Sequence, residues 1–173
     1  ILVSSNLERL LYHLCGEDTE KLTGWMNALQ SGGAYTVDAT TADAVRALFY
    51  GGCCDDKETV EVIRNTFEKD GYLCDTHTAV AVGVYEQYLK ETGDNTPAVI
   101  ASTASPYKFP DSGLDAFDCI KPADPFAEAE LLAKLSNTKI PAPITALRTK
   151  PVRFENPCAA ADMADFVRET VRV

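Results

Sequence analysis

Three short stretches of the sequence carry polar side chains that packing alone does not explain. Residues 4–6 read Ser-Ser-Asn, residues 75–79 read Asp-Thr-His-Thr-Ala, and residues 102–109 read Ser-Thr-Ala-Ser-Pro-Tyr-Lys-Phe. Hydroxyl, carboxylate, imidazole and ammonium groups can orient a bound molecule, hold an anion or move a proton. The third stretch is the strongest of the three, because three hydroxyls and a lysine directly follow an apolar segment.

Each stretch also has a structural interpretation. Ser5 can cap a helix, with Glu8 three residues later completing a capping box, and this interpretation is favoured for the first stretch taken alone. Asp75 or Thr76 can cap a second helix, and a lone histidine such as His77 is more often structural than catalytic at a helix start. The hydroxyls of the third stretch can satisfy their own turn, although their clustering favours a pocket.

The elements around these stretches predict an α/β fold. The apolar runs at 1–4 and 97–101 are typical of short buried strands, and residues 35–37 are a weaker candidate. Helices are predicted from residue 5 to the glycine at 16, over 19–29, 40–49, 55–70 and 77–88, within 109–120, from 124, and from 156. Alternating strands and helices indicate three layers, with a parallel sheet flanked by helices. The first and third polar stretches then lie at carboxyl ends of strands, where such sheets bind ligands.

Composition restricts the classes of partner. The chain has 173 residues, enough for a single compact domain, and 46% of them are hydrophobic. Sixteen Lys and Arg against 26 Asp and Glu give a net charge of −10, which argues against a nucleic-acid or anionic-membrane partner. No apolar run is long enough to span a bilayer, and no signal peptide opens the chain.

Cysteine usage predicts a cytoplasmic protein without a zinc site. Six cysteines are present, none of them in a C-x-x-C pair, and there are only two histidines. Free thiols in a reducing compartment are therefore expected. The sequence also contains no G-x-G-x-x-G, P-loop or G-x-S-x-G motif.

Taken together, the motifs resemble threonine synthase, a pyridoxal-phosphate enzyme of the tryptophan-synthase-β-like fold (fold type II). The similarity runs through residues 1–11 (ILVSSNLERLL), 71–80 (GYLCDTHTAV) and 99–109 (VIASTASPYKF), in the order of the C-terminal part of that family. It covers most of residues 1–125. The tail from about Asp124 carries no family motif.

The resemblance implies conversion of O-phospho-L-homoserine and water to L-threonine and phosphate by a lyase that uses pyridoxal phosphate. It implies that Thr103 faces the pyridine nitrogen of the cofactor, with Ser102 beside it. The same resemblance places three further residues in the wall of the site or near the substrate. These are Asp75 and His77 at a helix start and Asn6 at another strand-to-helix turn. Lys108 is a candidate contact for an anionic group.

The chain departs from the family pattern in two ways. Many members have histidine where Ser105 stands and proline where Thr76 stands, so neither residue is expected to be catalytic. The Schiff-base lysine and the Gly/Asn-rich phosphate loop of the family lie upstream of Ile1. We therefore expect residues 1–173 to be the C-terminal portion of a synthase, inactive alone and without a catalytic residue of its own.

Two alternatives stay open at this point. The chain could belong to another fold-type-II lyase, such as a dehydratase or sulfhydrylase, although the histidine at 77 argues against this because those enzymes favour a glutamate-proline start there. It could also be a noncatalytic interaction domain that retained the fold. Because a missing part would leave apolar surface uncovered, self-association of the fragment is expected as well.

Overall fold

A computed structural model of the chain describes residues 4–153 and 157–171, and the regular structure in these ranges is helical. The α-helices there are α1 Ser5–Leu14, α2 Thr19–Gly32, α3 Ala39–Leu48, α4 Asp56–Asp70, α5 Thr76–Thr92, α6 Pro110–Asp115, α7 Pro125–Ser136, α8 Ala142–Leu147 and α9 Met163–Val171. Short 3-10 turns occupy Pro106–Lys108 and Ala160–Asp162.

The predicted α/β architecture with a parallel sheet is wrong. The described ranges contain no β-strand, and residues 35–37 and 97–101 have no regular secondary structure. Val99, in the middle of the run predicted to be a core strand, is 98% exposed. An apolar segment becomes a strand only when a neighbouring strand pairs with its backbone groups, and no such neighbour is present in the described residues. The strand predicted at 1–4 lies mostly outside the described residues.

Capping chemistry fixes several helix boundaries as predicted. Asp55 and Glu58 form a reciprocal capping box at the start of α4, each side chain accepting from the other's backbone amide at 2.8 Å. Asp124 caps α7 and is followed by Pro125 in the first turn. The left-handed Gly71, with φ 66°, ends α4.

The structure corrects two details at the chain ends. The residue that caps α1 is Ser4 and not Ser5, since the Ser4 hydroxyl accepts from the amide of Leu7 at 3.3 Å. The last helix begins at Met163 in the described residues, later than the prediction from 156, a residue that lies outside them.

The chain divides into two compact units. Over the described residues, the first unit comprises 4–54 and Gly83–Pro97. In this unit Leu11 of α1 and Thr41 of α3 are buried. An ion pair of 2.9 Å between Lys21 and Asp38 joins α2 to the residue that caps α3.

The second unit comprises Asp55–Val82 and the described residues from Ala98 onward, so the two units divide α5 between residues 82 and 83. It contains a cluster of buried apolar side chains, to which α4, α5, α6 and α7 contribute: Ile63, Leu73, Cys74, Ala79, Tyr107, Leu114, Ala116, Ala129 and Leu132. A Cβ added at Gly113 would lie 3.0 Å from the Leu132 side chain, so α6 packs directly against α7. None of the described helices is both long and apolar enough to cross a membrane.

Candidate functional site

A buried carboxylate begins helix α5 in the second unit. Asp75 is 2% exposed, and one carboxylate oxygen accepts from the backbone amide of His77 at 3.0 Å. The other oxygen accepts a short hydrogen bond from the hydroxyl of Thr78. Asp75 is therefore the N-cap of α5, which confirms one of the two capping candidates from the sequence.

Hydrogen bonds keep this carboxylate ionised although it is buried. Burial raises the pKa of Asp75, but the Thr78 hydroxyl and the amides of Thr78 and His77 all donate to the charged form. Their combined effect outweighs burial, so the pKa lies below the ordinary aspartate value. The start of α5 thus holds a fixed negative charge at neutral pH.

The Thr78 hydroxyl connects Asp75 to the polar loop at 102–109, and the Tyr72 hydroxyl contacts the same loop. The Thr78 hydroxyl oxygen lies 3.1 Å from that of Ser102, and the Tyr72 hydroxyl lies 3.3 Å from the same Ser102 oxygen. Ser102 is exposed, whereas Thr78 is 4% exposed. We call these four residues, Tyr72, Asp75, Thr78 and Ser102, the hydroxyl chain. It runs from the interior of the second unit to its surface.

The far end of the loop is anchored separately. Tyr107 is 6% exposed, and its hydroxyl lies 2.5 Å from that of Thr138, which in turn lies 2.7 Å from that of Ser136. The Ser105 hydroxyl accepts from the Tyr107 amide at 3.3 Å. Thr103 therefore stands on a short exposed segment whose two ends are both held by hydrogen bonds.

An aromatic ring joins His77 to Lys108. The imidazole of His77 lies 5.9 Å from the centroid of the Phe109 ring, and the Lys108 ammonium lies 5.4 Å from the same centroid. A cation at that distance is attracted to the ring face. Because the His77 side chain is 57% exposed and Lys108 is exposed as well, both can reach a ligand in solvent.

The structure brings together most of the residues predicted from the sequence. Asp75, His77 and Ser102 are linked through hydrogen bonds, and Lys108 is linked to His77 through Phe109. Asn6 is an exposed residue in the first turn of α1, and it belongs to the first unit. Its place in a common site stays a prediction.

Sequence reasoning missed Tyr72 and Thr78. Thr78 stands three residues after Asp75, which is the spacing of a capping interaction and could have identified it. Tyr72 lies 30 residues from Ser102 along the chain, and no local pattern indicates that contact.

The donors of this site fit pyridoxal phosphate. Adjacent exposed hydroxyls at Ser102 and Thr103 suit a polar ring atom, and the Lys108 ammonium and the His77 imidazole suit an anionic group. No cluster of three or more His, Cys, Asp or Glu side chains able to hold a metal ion occurs among the described residues. An anchored loop that presents hydroxyls together with a lysine and an imidazole is typical of a class of site that binds a polar, anionic small molecule.

Comparison with known proteins identifies the family. The sequence model described as "Threonine synthase, C-terminal" matches residues 78–167, which is just over half of the chain and includes Thr78, Ser102 and Thr103. The chain therefore belongs to the threonine synthase C-terminal family.

Individual relatives agree with this assignment. The threonine synthase of Schizosaccharomyces pombe is 37% identical over 120 residues, covering 63% of this chain and 23% of that protein. The human protein named threonine synthase-like 1 is 31% identical over 166 residues, covering 94% of this chain and 22% of that protein. The chain thus spans less than a quarter of the length of these two relatives.

A solved structure also resembles the chain. The crystal structure of threonine synthase from Brucella melitensis, described as bound to PLP, matches with a TM-score of 0.58 and 36% identity. The match covers 75% of this chain and 27% of that one. The sequence-based prediction of the family is therefore confirmed by the family model, by the related sequences and by the solved structure.

Proposed function

We propose that the chain is the C-terminal portion of a pyridoxal-phosphate-dependent threonine synthase that converts O-phospho-L-homoserine and water to L-threonine and phosphate. The observation that carries the proposal is the family match over residues 78–167, because this range contains the exposed hydroxyls at the end of the hydroxyl chain. The names of the relatives and the PLP-bound relative support the same reaction and cofactor.

In this proposal Ser102 and Thr103 hold the cofactor through their hydroxyls. Bound pyridoxal phosphate supplies an electron sink for the carbon atoms of the substrate. Thr103 is placed at the pyridine nitrogen. Because its hydroxyl is neutral, it does not require that nitrogen to be protonated. Lys108 and His77 bind an anionic group of the substrate, for which their exposure beside Phe109 is suitable. Asp75 fixes the start of α5, and Asn6 forms part of the site wall.

The remaining machinery belongs to an upstream part of the polypeptide in this proposal. Residues 1–173 form one C-terminal portion, and the Schiff-base lysine and phosphate loop precede it. The length of the relatives supports this division, since the chain covers only 23% of the S. pombe enzyme. The isolated portion is then expected to be inactive.

The proposal extends to location and association. We place the protein in the cytoplasm, because all six cysteines are free thiols in the structure. The isolated portion self-associates through apolar side chains that its upstream part would cover. Val99 and Ile120, which are 98% and 94% exposed, are the strongest candidates for such a surface.

The experiment uses the full-length polypeptide, purified with pyridoxal phosphate and supplied with O-phospho-L-homoserine. We expect equal amounts of phosphate and L-threonine to appear, and we expect both to depend on the cofactor. L-serine and L-threonine serve as control substrates for a dehydratase. Release of a 2-oxo acid from these controls without phosphate release from O-phospho-L-homoserine would contradict the proposal and favour another fold-type-II lyase.

A further inference from the structure

Two nitrogen atoms of His77 lie beside one oxygen of the Asp75 carboxylate. The backbone amide of His77 is 3.0 Å from Oδ1 of Asp75, and the imidazole Nδ1 is 3.2 Å from the same oxygen. Because an ionised carboxylate can only accept a hydrogen bond, it repels a bare nitrogen lone pair and attracts an N–H group. We therefore assign a proton to Nδ1 of His77.

The other ring nitrogen of His77, Nε2, is then the one left for a ligand. In a neutral ring with its proton on Nδ1, Nε2 has a lone pair and can only accept. Such a lone pair repels an anion, whereas a protonated Nε2 donates to it. The side chain of His77 is 57% exposed and that of Asp75 is 0% exposed, so a ligand can reach the imidazole but not the carboxylate.

The groups around the imidazole in the described residues couple a proton to an anion. Asp75 places a fixed negative charge at Nδ1, and the Thr76 hydroxyl is 3.4 Å from that nitrogen. Phe109 packs against the imidazole, and the Lys108 ammonium is 5.4 Å from the centroid of the Phe109 ring. Lys108 disfavours a second cation, and a bound anion offsets this repulsion. A proton at Nε2 and an anion are therefore expected to bind together.

We infer that anion binding at this site is linked to proton uptake by His77, with Asp75 as the positioning residue that leaves Nε2 to the anion. The proton comes from solvent, adds to Nε2, and returns to solvent when the anion leaves. The inference rests on the proposed function for the identity of the anion, an anionic group of the substrate. Since linkage is reciprocal, the anion binds more tightly as the pH falls.

His13 in the first unit provides a contrast. Its Nδ1 is 3.4 Å from a carboxylate oxygen of Glu17, and the two side chains are 60% and 64% exposed. An exposed pair of this kind is screened by water and contributes little. The Asp75 carboxylate is buried and is held by the His77 amide and the Thr78 hydroxyl, so it can orient an imidazole.

Neutron diffraction tests the position of the proton on His77. The sample is a crystal of the full-length polypeptide with its cofactor but without substrate, in mildly alkaline D₂O. We expect a deuterium on Nδ1 that points toward Oδ1 of Asp75 and none on Nε2. Any other distribution of deuterium over the two ring nitrogens would overturn the inference. This result does not depend on whether the polypeptide converts O-phospho-L-homoserine.

Binding of inorganic sulfate tests the linkage, because sulfate exchanges no proton of its own near neutral pH. The full-length polypeptide is saturated with pyridoxal phosphate, and calorimetry in two buffers of different ionisation enthalpy counts the protons taken up per sulfate. We expect wild type and the control His13→Gln to take up more protons than His77→Gln. Their sulfate affinity should fall by up to about tenfold per pH unit, while that of His77→Gln stays within about twofold.

A second variant tests the part played by Asp75. Asp75→Asn removes the negative charge, while its amide oxygen can still cap α5. We expect less proton uptake per sulfate than in wild type at the same pH. Equal proton uptake by wild type and His77→Gln, or no sulfate binding, would overturn the linkage, and wild-type uptake in Asp75→Asn would overturn the role of Asp75. Linked proton uptake without turnover of O-phospho-L-homoserine would contradict the proposed reaction alone.

Discussion

Two aspartates stand on either side of helix α5, and only one of them is connected to a candidate site. Asp75 precedes the helix, is buried, and connects through Thr78 to Ser102, which lies 24 residues beyond Thr78 in the sequence. Asp94 follows the helix and accepts from Tyr88 at 2.6 Å and from the Thr96 hydroxyl at 2.6 Å. All the partners of Asp94 therefore lie within six residues of it.

The comparison shows that a lowered pKa does not by itself identify a functional site. The hydrogen bonds from Thr96 and Tyr88 lower the pKa of Asp94 to about 2, although all the partners of Asp94 lie in the same local segment of the chain. Asp75 also has a lowered pKa, since its hydrogen-bond donors outweigh the effect of burial, but its network leaves the helix and ends at an exposed hydroxyl. Connection to a separate surface segment is what distinguishes the two.

The largest difference between the two aspartates is expected in stability. Asp75→Ala removes the cap of α5 and leaves the buried Thr78 hydroxyl without its acceptor. We expect a loss of about 2–4 kcal/mol in the free energy of unfolding. Asp94→Ala is the matched control. It should lower the free energy of unfolding by less, because the Asp94 carboxylate is more exposed and water can replace it as the acceptor for its partners. Urea denaturation of the full-length polypeptide measures both, and an equal loss for the two variants would contradict the comparison.

A smaller effect, on catalysis and not on stability, is expected at Thr103. Thr103→Val replaces an exposed hydroxyl with a methyl group of nearly the same size, so the melting temperature should hardly change. Loss of the proposed hydrogen bond to the cofactor, of about 0.5–1.5 kcal/mol, should lower turnover by roughly two- to tenfold and alter the cofactor absorption band. Kinetics and thermal melting on the same samples check this. A lower melting temperature with normal turnover per folded molecule would mean that Thr103 only supports its turn.

The smallest expected effect is the acid dependence of the Asp94 network. A carboxyl with a folded pKa of about 2 and an ordinary value of 3.8 stabilises the fold fully above pH 4. That contribution is lost as the pH falls from about 4 to about 2, because over this range the unfolded state binds a proton at Asp94 and the folded state does not. Asp94→Asn should therefore flatten the fall in the urea midpoint over this range. If the urea midpoint of Asp94→Asn falls as steeply with pH as that of wild type, Asp94 does not contribute to the acid dependence of stability.

The sequence predicted local features better than contacts between distant segments. The Asp55–Glu58 capping box and the Asp124–Pro125 helix start were correct, because a cap depends on residues within one turn. The strand at 97–101 was wrong, since apolar composition does not supply a pairing partner and Val99 is 98% exposed.

The candidate site shows the same difference between local features and contacts of distant segments. Asp75, His77 and Ser102 were identified by residue type and by family resemblance. Their connection was not, because Tyr72 and Thr78 meet Ser102 across 30 and 24 residues of sequence. A cap at the start of α5 was predictable, but its hydrogen-bonded link to a hydroxyl on another segment required coordinates.

One pair of substitutions tests most directly whether the network of Asp75, and not that of Asp94, serves the site. Thr78→Val and Thr96→Val each delete a threonine hydroxyl that donates to an aspartate at an end of α5. The measurement is kcat/KM for phosphate release from O-phospho-L-homoserine by the full-length polypeptide, per folded molecule. We predict about a tenfold loss for Thr78→Val and a value within about twofold of wild type for Thr96→Val. Equal values for the two variants would contradict the account.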